Sequence, residues 1–272
     1  MLKATTIRGI ESNGMLVSER ELGLSDDHDG IIDLPQTAPI GAPFARVMGF
    51  DDPVIDVALT PNRGDCASVR GIARDLAAAG QGTLKGVPGW QAPTGGGFPS
   101  PIGVKLDFTP DRAAACPLYG GRYFRGLKNG PSPAWLQERL KAVGLRPISA
   151  LVDVTNYFTL DMGRPLHVFD ADKVAGDITV RLSYPGEAMD ALDGRRYEFD
   201  GDMTLITDGN GPVGLGGVMG GTATGCTPET VNMFLECALF DPLRTARTGR
   251  QLAIQSDARY RFERGVDATS VL

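Results

Sequence analysis

The sequence predicts an α+β fold, with helices gathered before and after a long run of strands rather than alternating with them. Three observations carry this. Apolar residues recur at helical spacing near 69–79, 136–143 and 148–162. Segments rich in β-branched and apolar residues crowd into 178–239. Thirty-six Gly and 19 Pro in 272 residues supply the turns that many short strands require.

In chain order, residues 54–59 (VIDVAL) read as a strand and TPNRG (60–64) as the turn after it. Asp65 is placed to cap a helix that runs to about Ala79 and stops at Gly80, with Val69, Ile72, Ala73 and Leu76 as its buried face. Val104, Leu106 and Phe108 alternate as in a strand, and 118–127 reads as another. Ser132-Pro133 opens a helix with Leu136, Leu140 and Val143 on one side, ended by Gly144. A further helix spans 148–162, with Ile148, Leu151, Val152, Thr155 and Phe158 at helical spacing and Gly163 as its stop. Strands are expected at 178–183, 203–208, 212–220 and 231–239, with a hairpin turned at Asp193-Gly194. Asp241-Pro242 caps a short helix, and Ser256-Asp257 begins a last one running to the chain end.

Composition narrows the function classes. Hydrophobic residues make up 42% and charged residues 22%, as in a globular protein with a real core. A net charge of −6 argues against broad, charge-driven nucleic-acid binding but leaves room for a local site that receives one RNA end. No apolar run approaches a membrane span, and residues 1–20 lack a signal-peptide pattern; the start reads like the interior of a domain. Four scattered cysteines without CxxC pairs, and only His28 and His167 beside them, make zinc a poor expectation and fit reduced thiols in a cytoplasm.

Few residues declare chemistry by themselves. His167 stands in RPLHVFD, just past a helix end and expected in a loop; a lone histidine among apolar residues is more often structural than catalytic. Asn156 falls on the polar side of its helix, as a solvated amide would. GLGGVMGG (214–221) lacks the strand–turn–helix context of a phosphate cradle, so close backbone approach or N–H groups lining a pocket fits better. Glu236 interrupts the apolar run MFLECALF; alternation alone favours a solvent-facing carboxylate over a buried one. Arginines at 244–264 form a basic cluster that a solvated helix face explains as well as a phosphate site does.

Six blocks in order go further: IRGIESNGMLVSERELGLSDDHDGIIDLP (7–35), LTPNRGDCASVRGIARDLAA (59–78), SALVDVTNYFTLDMGRPLHVFDADKV (149–174), GLGGVMGG (214–221), LECALFDP (235–242) and SDARYRFERGVDA (256–268). Together they resemble the β subunit of bacterial phenylalanyl-tRNA synthetase. The resemblance implies that residues 1–45 are the tail of an OB-type tRNA-binding domain, 46–86 a small α/β domain, 87–101 a linker, and 102–272 a B3/B4 editing module with a mixed or antiparallel sheet. It implies hydrolysis of Tyr-tRNA(Phe), with aminoacylation left to an α subunit in an α2β2 heterotetramer that binds tRNA(Phe). No cofactor is implied for this stretch; magnesium and ATP serve the complete synthetase.

The same resemblance places Thr155, Asn156 and His167 as catalytic candidates, and Glu236, Gly217, Gly220, Ser256 and Ala258 around the substrate. Glu236 then becomes a buried acceptor for the tyrosine hydroxyl through a charge-assisted bond, reversing the reading from alternation. Ser256 stands where the family usually has Thr, Arg259 where a small polar residue is common, and Gly216 where Ala is usual, which is expected to loosen that strand. The competing readings are a free-standing B3/B4-type deacylase, against which residues 1–86 argue, and a non-catalytic scaffold that binds tRNA and assists assembly.

Overall fold

The computed structural model describes residues 4–51, 53–86 and 97–271. The chain divides into two compact units, residues 1–54 and 55–272. In the first, β1 (Thr5–Ile7) and β2 (Ile10–Ser12) form an antiparallel hairpin, and α1 (Phe44–Val47) is a single turn. Arg8 and Gly9 both take positive φ in that hairpin, as its tight turn demands. Residues 87–96 of the expected linker lie outside the described residues.

The second unit opens irregularly. Residues 54–59 form no strand. Asp65 does not cap a helix: it sits in a 3-10 turn, Gly64–Cys66, held by Arg63 and Arg74, and α2 (Val69–Ala78) begins after Ser68. The Ser68 hydroxyl accepts from the Gly71 backbone N–H at 2.9 Å, so a serine supplies the cap that an aspartate had been expected to give. Val69 is 64% exposed and Leu76 51%, while Ile72 and Ala73 are half-buried, so the helical period is present but its apolar face is only partly covered.

β3 (Val104–Asp107) and β4 (Leu118–Phe124) follow, then α3 (Ala134–Ala142), with Leu136 and Leu140 buried as the spacing predicts. In α4 (Ala150–Met162) the buried residues are Asp153, Thr155 and Thr159, while Ile148, just upstream, is exposed. Asp153 accepts from the Ser132 hydroxyl at 2.5 Å and the Ile148 N–H at 2.8 Å, and these two bonds permit its burial. Gly163 ends α4 in the left-handed region, φ 71°.

Next come β5 (His167–Asp170), β6 (Ile178–Leu182), β7 (Ala188–Asp190), β8 (Arg196–Glu198), β9 (Thr204–Asp208), β10 (Gly211–Leu215), β11 (Met219–Gly220) and β12 (Met233–Leu239). The strand expected at 212–220 is thus two strands around a turn. β7 and β8 pair across the expected Asp193-Gly194 turn. α5 (Pro242–Gln251) begins after Asp241, whose carboxylate accepts from the Arg244 N–H at 2.7 Å. α6 (Asp257–Phe262) stops well before the chain end, and a 3-10 turn, Ala268–Ser270, follows it.

Two sheets organise this α+β unit. One is mixed, ordered β11-β10-β9-β6-β3, with β3 and β6 parallel and its other pairs antiparallel. The other is antiparallel, ordered β4-β12-β5. Ile178, Val180, Ile206 and Val213 of the first share a core with Phe169, Phe234 and Ala238 of the second, joined by Phe240 and Phe262. Each such side chain contributes roughly 1.5–3 kcal/mol on leaving water, so the seam between the sheets is the stable frame on which the site rests. No helix among the described residues is long and apolar enough to cross a membrane.

Candidate functional site

Strand β12 has two faces. Phe234, Glu236 and Ala238 point into the core, and Met233, Leu235, Cys237 and Leu239 are only partly covered. Glu236 is therefore 6% exposed, on the inner face and not in solvent. Its register partner on β5 is His167, and on β4 it is Gly121. Residues directly opposite in an antiparallel pair project to the same side, so the carboxyl and the imidazole are neighbours. His167 is accordingly the first residue of a strand, not part of a loop, and its ring meets Phe169 edge-on at 4.5 Å.

A cavity of about 380 Å3 opens over this pair, a size suited to a small ligand. Asn156, His167, Gly217, Gly220, Glu236, Ser256 and Ala258 all line it. Thr155 does not; its hydroxyl donates to the Val152 carbonyl at 2.7 Å, and Thr159, one turn on, takes the place expected of it. Spacing carried that signal, since Thr159 is three residues from Asn156 on the same helix. Leu192, at the β7–β8 turn, lines the mouth, with its N–H donating to the Gly220 carbonyl at 3.0 Å; nothing in its own sequence neighbourhood marks it.

The glycines shape the wall. Gly217 has φ +70°, a conformation L side chains rarely adopt. A Cβ at Gly216 would stand 2.8 Å from Phe240 Cε1 and 3.0 Å from Thr204 Cγ2. The Phe240 ring and the Thr204 methyl thus occupy the place an alanine methyl would take. Arg259 stays outside the cavity wall, its Nε donating to Glu263 at 2.9 Å.

Ser256 is committed elsewhere. Its hydroxyl donates to the Val218 carbonyl at 2.6 Å and accepts from the Arg259 N–H at 3.0 Å, capping α6 and tying it to the glycine turn. We expect Ser256→Ala to lower stability by about 1 kcal/mol, read as a fall in urea midpoint; Ser256→Thr should keep the cap. An unchanged midpoint in the alanine variant would show that the cap contributes nothing.

Burial sets the electrostatics. Desolvation pushes the Glu236 carboxyl up to about 8, and its Oε2 is buried without a hydrogen-bond partner. Desolvation lowers His167 to about 4, and its Nε2 is likewise buried and unpaired. Near pH 7 both groups are thus mostly neutral, and the carboxylate expected from the sequence is mainly an acid until a ligand or higher pH ionises it. Two adjacent unpaired polar atoms facing a cavity are costly to fold and are repaid only by a ligand or water that completes them. A larger groove of about 750 Å3, lined by Val69, Leu76, Phe158 and Met162 among others, shares none of the cavity's lining residues.

The B3/4 domain family model matches residues 115–272, which hold both sides of this cavity. Over the full chain the sequence is 59% identical to the phenylalanine–tRNA ligase β subunit of Rhodospirillum rubrum and 56% identical to that of Paramagnetospirillum magneticum, covering 34% of each. A crystal structure of an N-terminal fragment of the phenylalanyl-tRNA synthetase β subunit from Pyrococcus horikoshii is 17% identical, with a TM-score of 0.40, over 66% of this chain and 54% of that one. The chain spans about a third of the length of the curated relatives it matches. It belongs to the B3/4 domain family, in the form found within phenylalanine–tRNA ligase β subunits.

Proposed function

We propose that this chain edits tRNA(Phe) misloaded with tyrosine, hydrolysing the aminoacyl ester in the Glu236–His167 cavity. Synthesis of the correct ester, with ATP and magnesium, falls to an α subunit that joins the β subunit in an α2β2 assembly working in the cytoplasm. The observation that carries this reading is the buried, unpaired carboxyl of Glu236 beside His167 in the wall of the cavity. Tyrosine exceeds phenylalanine by one hydroxyl, and an apolar pocket discriminates poorly against an added hydroxyl. A site with an unpaired buried acceptor discriminates the other way, because phenylalanine leaves that acceptor unpaired.

Water is the attacking group in this scheme. The Ser256 hydroxyl is already donating to a carbonyl, so it is not free to act as a nucleophile. Neutral His167 and the Asn156 amide line the cavity, where they can hold a water against the ester carbonyl.

The test compares hydrolysis of Tyr-tRNA(Phe) and Phe-tRNA(Phe) by the full-length protein. Wild type should prefer the tyrosyl ester, and Glu236→Ala should erase most of that preference. Above pH 8, where Glu236 is ionised, a hydrogen bond to its charged acceptor contributes about 1.5–3 kcal/mol, or roughly 10- to 150-fold in kcat/KM. Glu236→Gln should fall between the two, since its amide oxygen still accepts. Equal hydrolysis of both esters by wild type would sink the reading.

A further inference from the structure

Behind Glu236, on the same face of the three-stranded sheet, lies a second orphaned polar group. The Tyr119 hydroxyl on β4 is buried without a hydrogen-bond partner, as is Glu236 Oε2. Register fixes their relation. Glu236 stands opposite Gly121, and Ala238 opposite Tyr119, so Tyr119 is the diagonal neighbour of Glu236 on the inner face. Diagonal neighbours in an antiparallel sheet have Cβ atoms about 7 Å apart, within reach of two long side chains. Gly121, opposite Glu236, has no side chain, and the Phe234 ring fills the place its Cβ would take. Tyr119 packs against the same core cluster as Phe234 and Ala238.

One orphan is a phenol, able to donate; the other is a carboxyl oxygen, able to accept. We propose that Tyr119 is a positioning residue for Glu236, its hydroxyl donating to the carboxylate when that group ionises around a bound hydroxyl. This rests on, and deepens, the reading of Glu236 as the substrate-selecting group. Tyr119 does not touch the ligand in this scheme; it holds the acceptor that does.

The surroundings fit. Burial first, then the nearby charges of Glu236 and Cys116, push the Tyr119 phenol well above its ordinary range, so it keeps its proton and remains a donor. The titratable groups that face Glu236 are His167 from β5, Tyr119 from β4, Cys116 just before β4 and Asp257 across the cavity, with Cys237 adjacent on its own strand. Burial raises the Cys116 thiol to about 12 and lowers His167 to about 4. Neither carries charge near pH 8. Neutral His167 keeps one ring N–H as a donor; Tyr119 is the hydroxyl donor among these groups, and it too stays protonated in that range.

The experiment uses Tyr119→Phe in the full-length protein, a change that keeps the ring and removes only the hydroxyl. Infrared difference spectra, with Glu236→Gln identifying the band, follow the protonated Glu236 carboxyl against pH. Losing a donor to the charged form should raise its midpoint by about one pH unit. The preference for the tyrosyl ester at pH 8.5 should fall roughly 3- to 10-fold, and Tyr119→Phe added to Glu236→Gln should change it no further. A midpoint that stays in place overturns the proposal, as does a loss of preference that persists equally in the Glu236→Gln background. If wild type hydrolyses neither ester, the editing reading has failed, yet the infrared midpoint still decides whether Tyr119 and Glu236 are coupled.

Discussion

Gly220→Ala is expected to slow hydrolysis of both esters by roughly 10- to 100-fold, up to the loss associated with displacing a reacting group by ~1 Å. Gly220 has ordinary backbone geometry, so alanine brings no conformational strain there. Its new Cβ, however, would overlap His167 Cε1 and stand 3.0 Å from both His167 Nε2 and Leu192 Cδ1. The imidazole is wedged between that wall and Phe169, so it must turn or shift. His167→Ala should itself slow hydrolysis by roughly 10- to 100-fold, less than the 10²–10⁴ of a full general base. A histidine lowered to about 4 is a weak base at pH 7 and serves better to orient water. Because both changes act on one ring, Gly220→Ala added to His167→Ala should cost little more. Single-turnover rates of all three variants check this. Full activity in Gly220→Ala would mean that His167 does not touch the reaction, and additive losses would mean that the glycine acts by another route.

Glu236→Gln is expected to stabilise the folded protein at high pH and leave it nearly unchanged at low pH. The unfolded chain releases the Glu236 proton near its ordinary value of 4.5, and the folded chain holds it until about 8. Across that window the folded state binds more protons, so stability falls as pH rises and levels off above 8. At roughly 1.4 kcal/mol per pH unit, the wild-type loss is on the order of 3–5 kcal/mol. His167 acts in the opposite sense. Between 6.5 and about 4 the unfolded chain takes up a proton that the folded site refuses, so stability falls as pH drops through that range. Urea midpoints at pH 5, 7 and 9 should therefore peak near 5 to 6 in wild type and lose their alkaline decline in Glu236→Gln. An identical alkaline decline in both proteins would show that Glu236 is not the buried acid. The same ionisation gives a kinetic counterpart: preference for the tyrosyl ester should grow as pH passes 8, because a charged acceptor binds a phenol more strongly than a neutral one.

Near-neighbour features of this protein are legible in its sequence. The α+β class, β12 at Met233–Leu239, the β7–β8 hairpin around Asp193-Gly194, and the start of α5 after Asp241 all follow from alternation, turn chemistry and capping within a few residues. Six sequence blocks pointed to the right family and to most of the cavity's lining, because they preserve residue types that no local rule explains. Which face of β12 is buried depends on long-range packing instead. Period two defines two faces without ranking them, and the placement of β12 between β4 and β5, under the five-stranded sheet, turned Glu236 inward. The same pairing drew His167 out of an expected loop into a strand and set Tyr119 diagonal to Glu236 from more than a hundred residues away. Ser68 rather than Asp65 caps α2, and Val69 and Leu76 lie exposed while Ile72 and Ala73 are half-buried, because a helical period does not say how much of a face its partner covers. Local patterns reflect the few residues that enforce them; burial and the pKa values that follow from it belong to contacts between distant segments, which form only when the sheets close on each other.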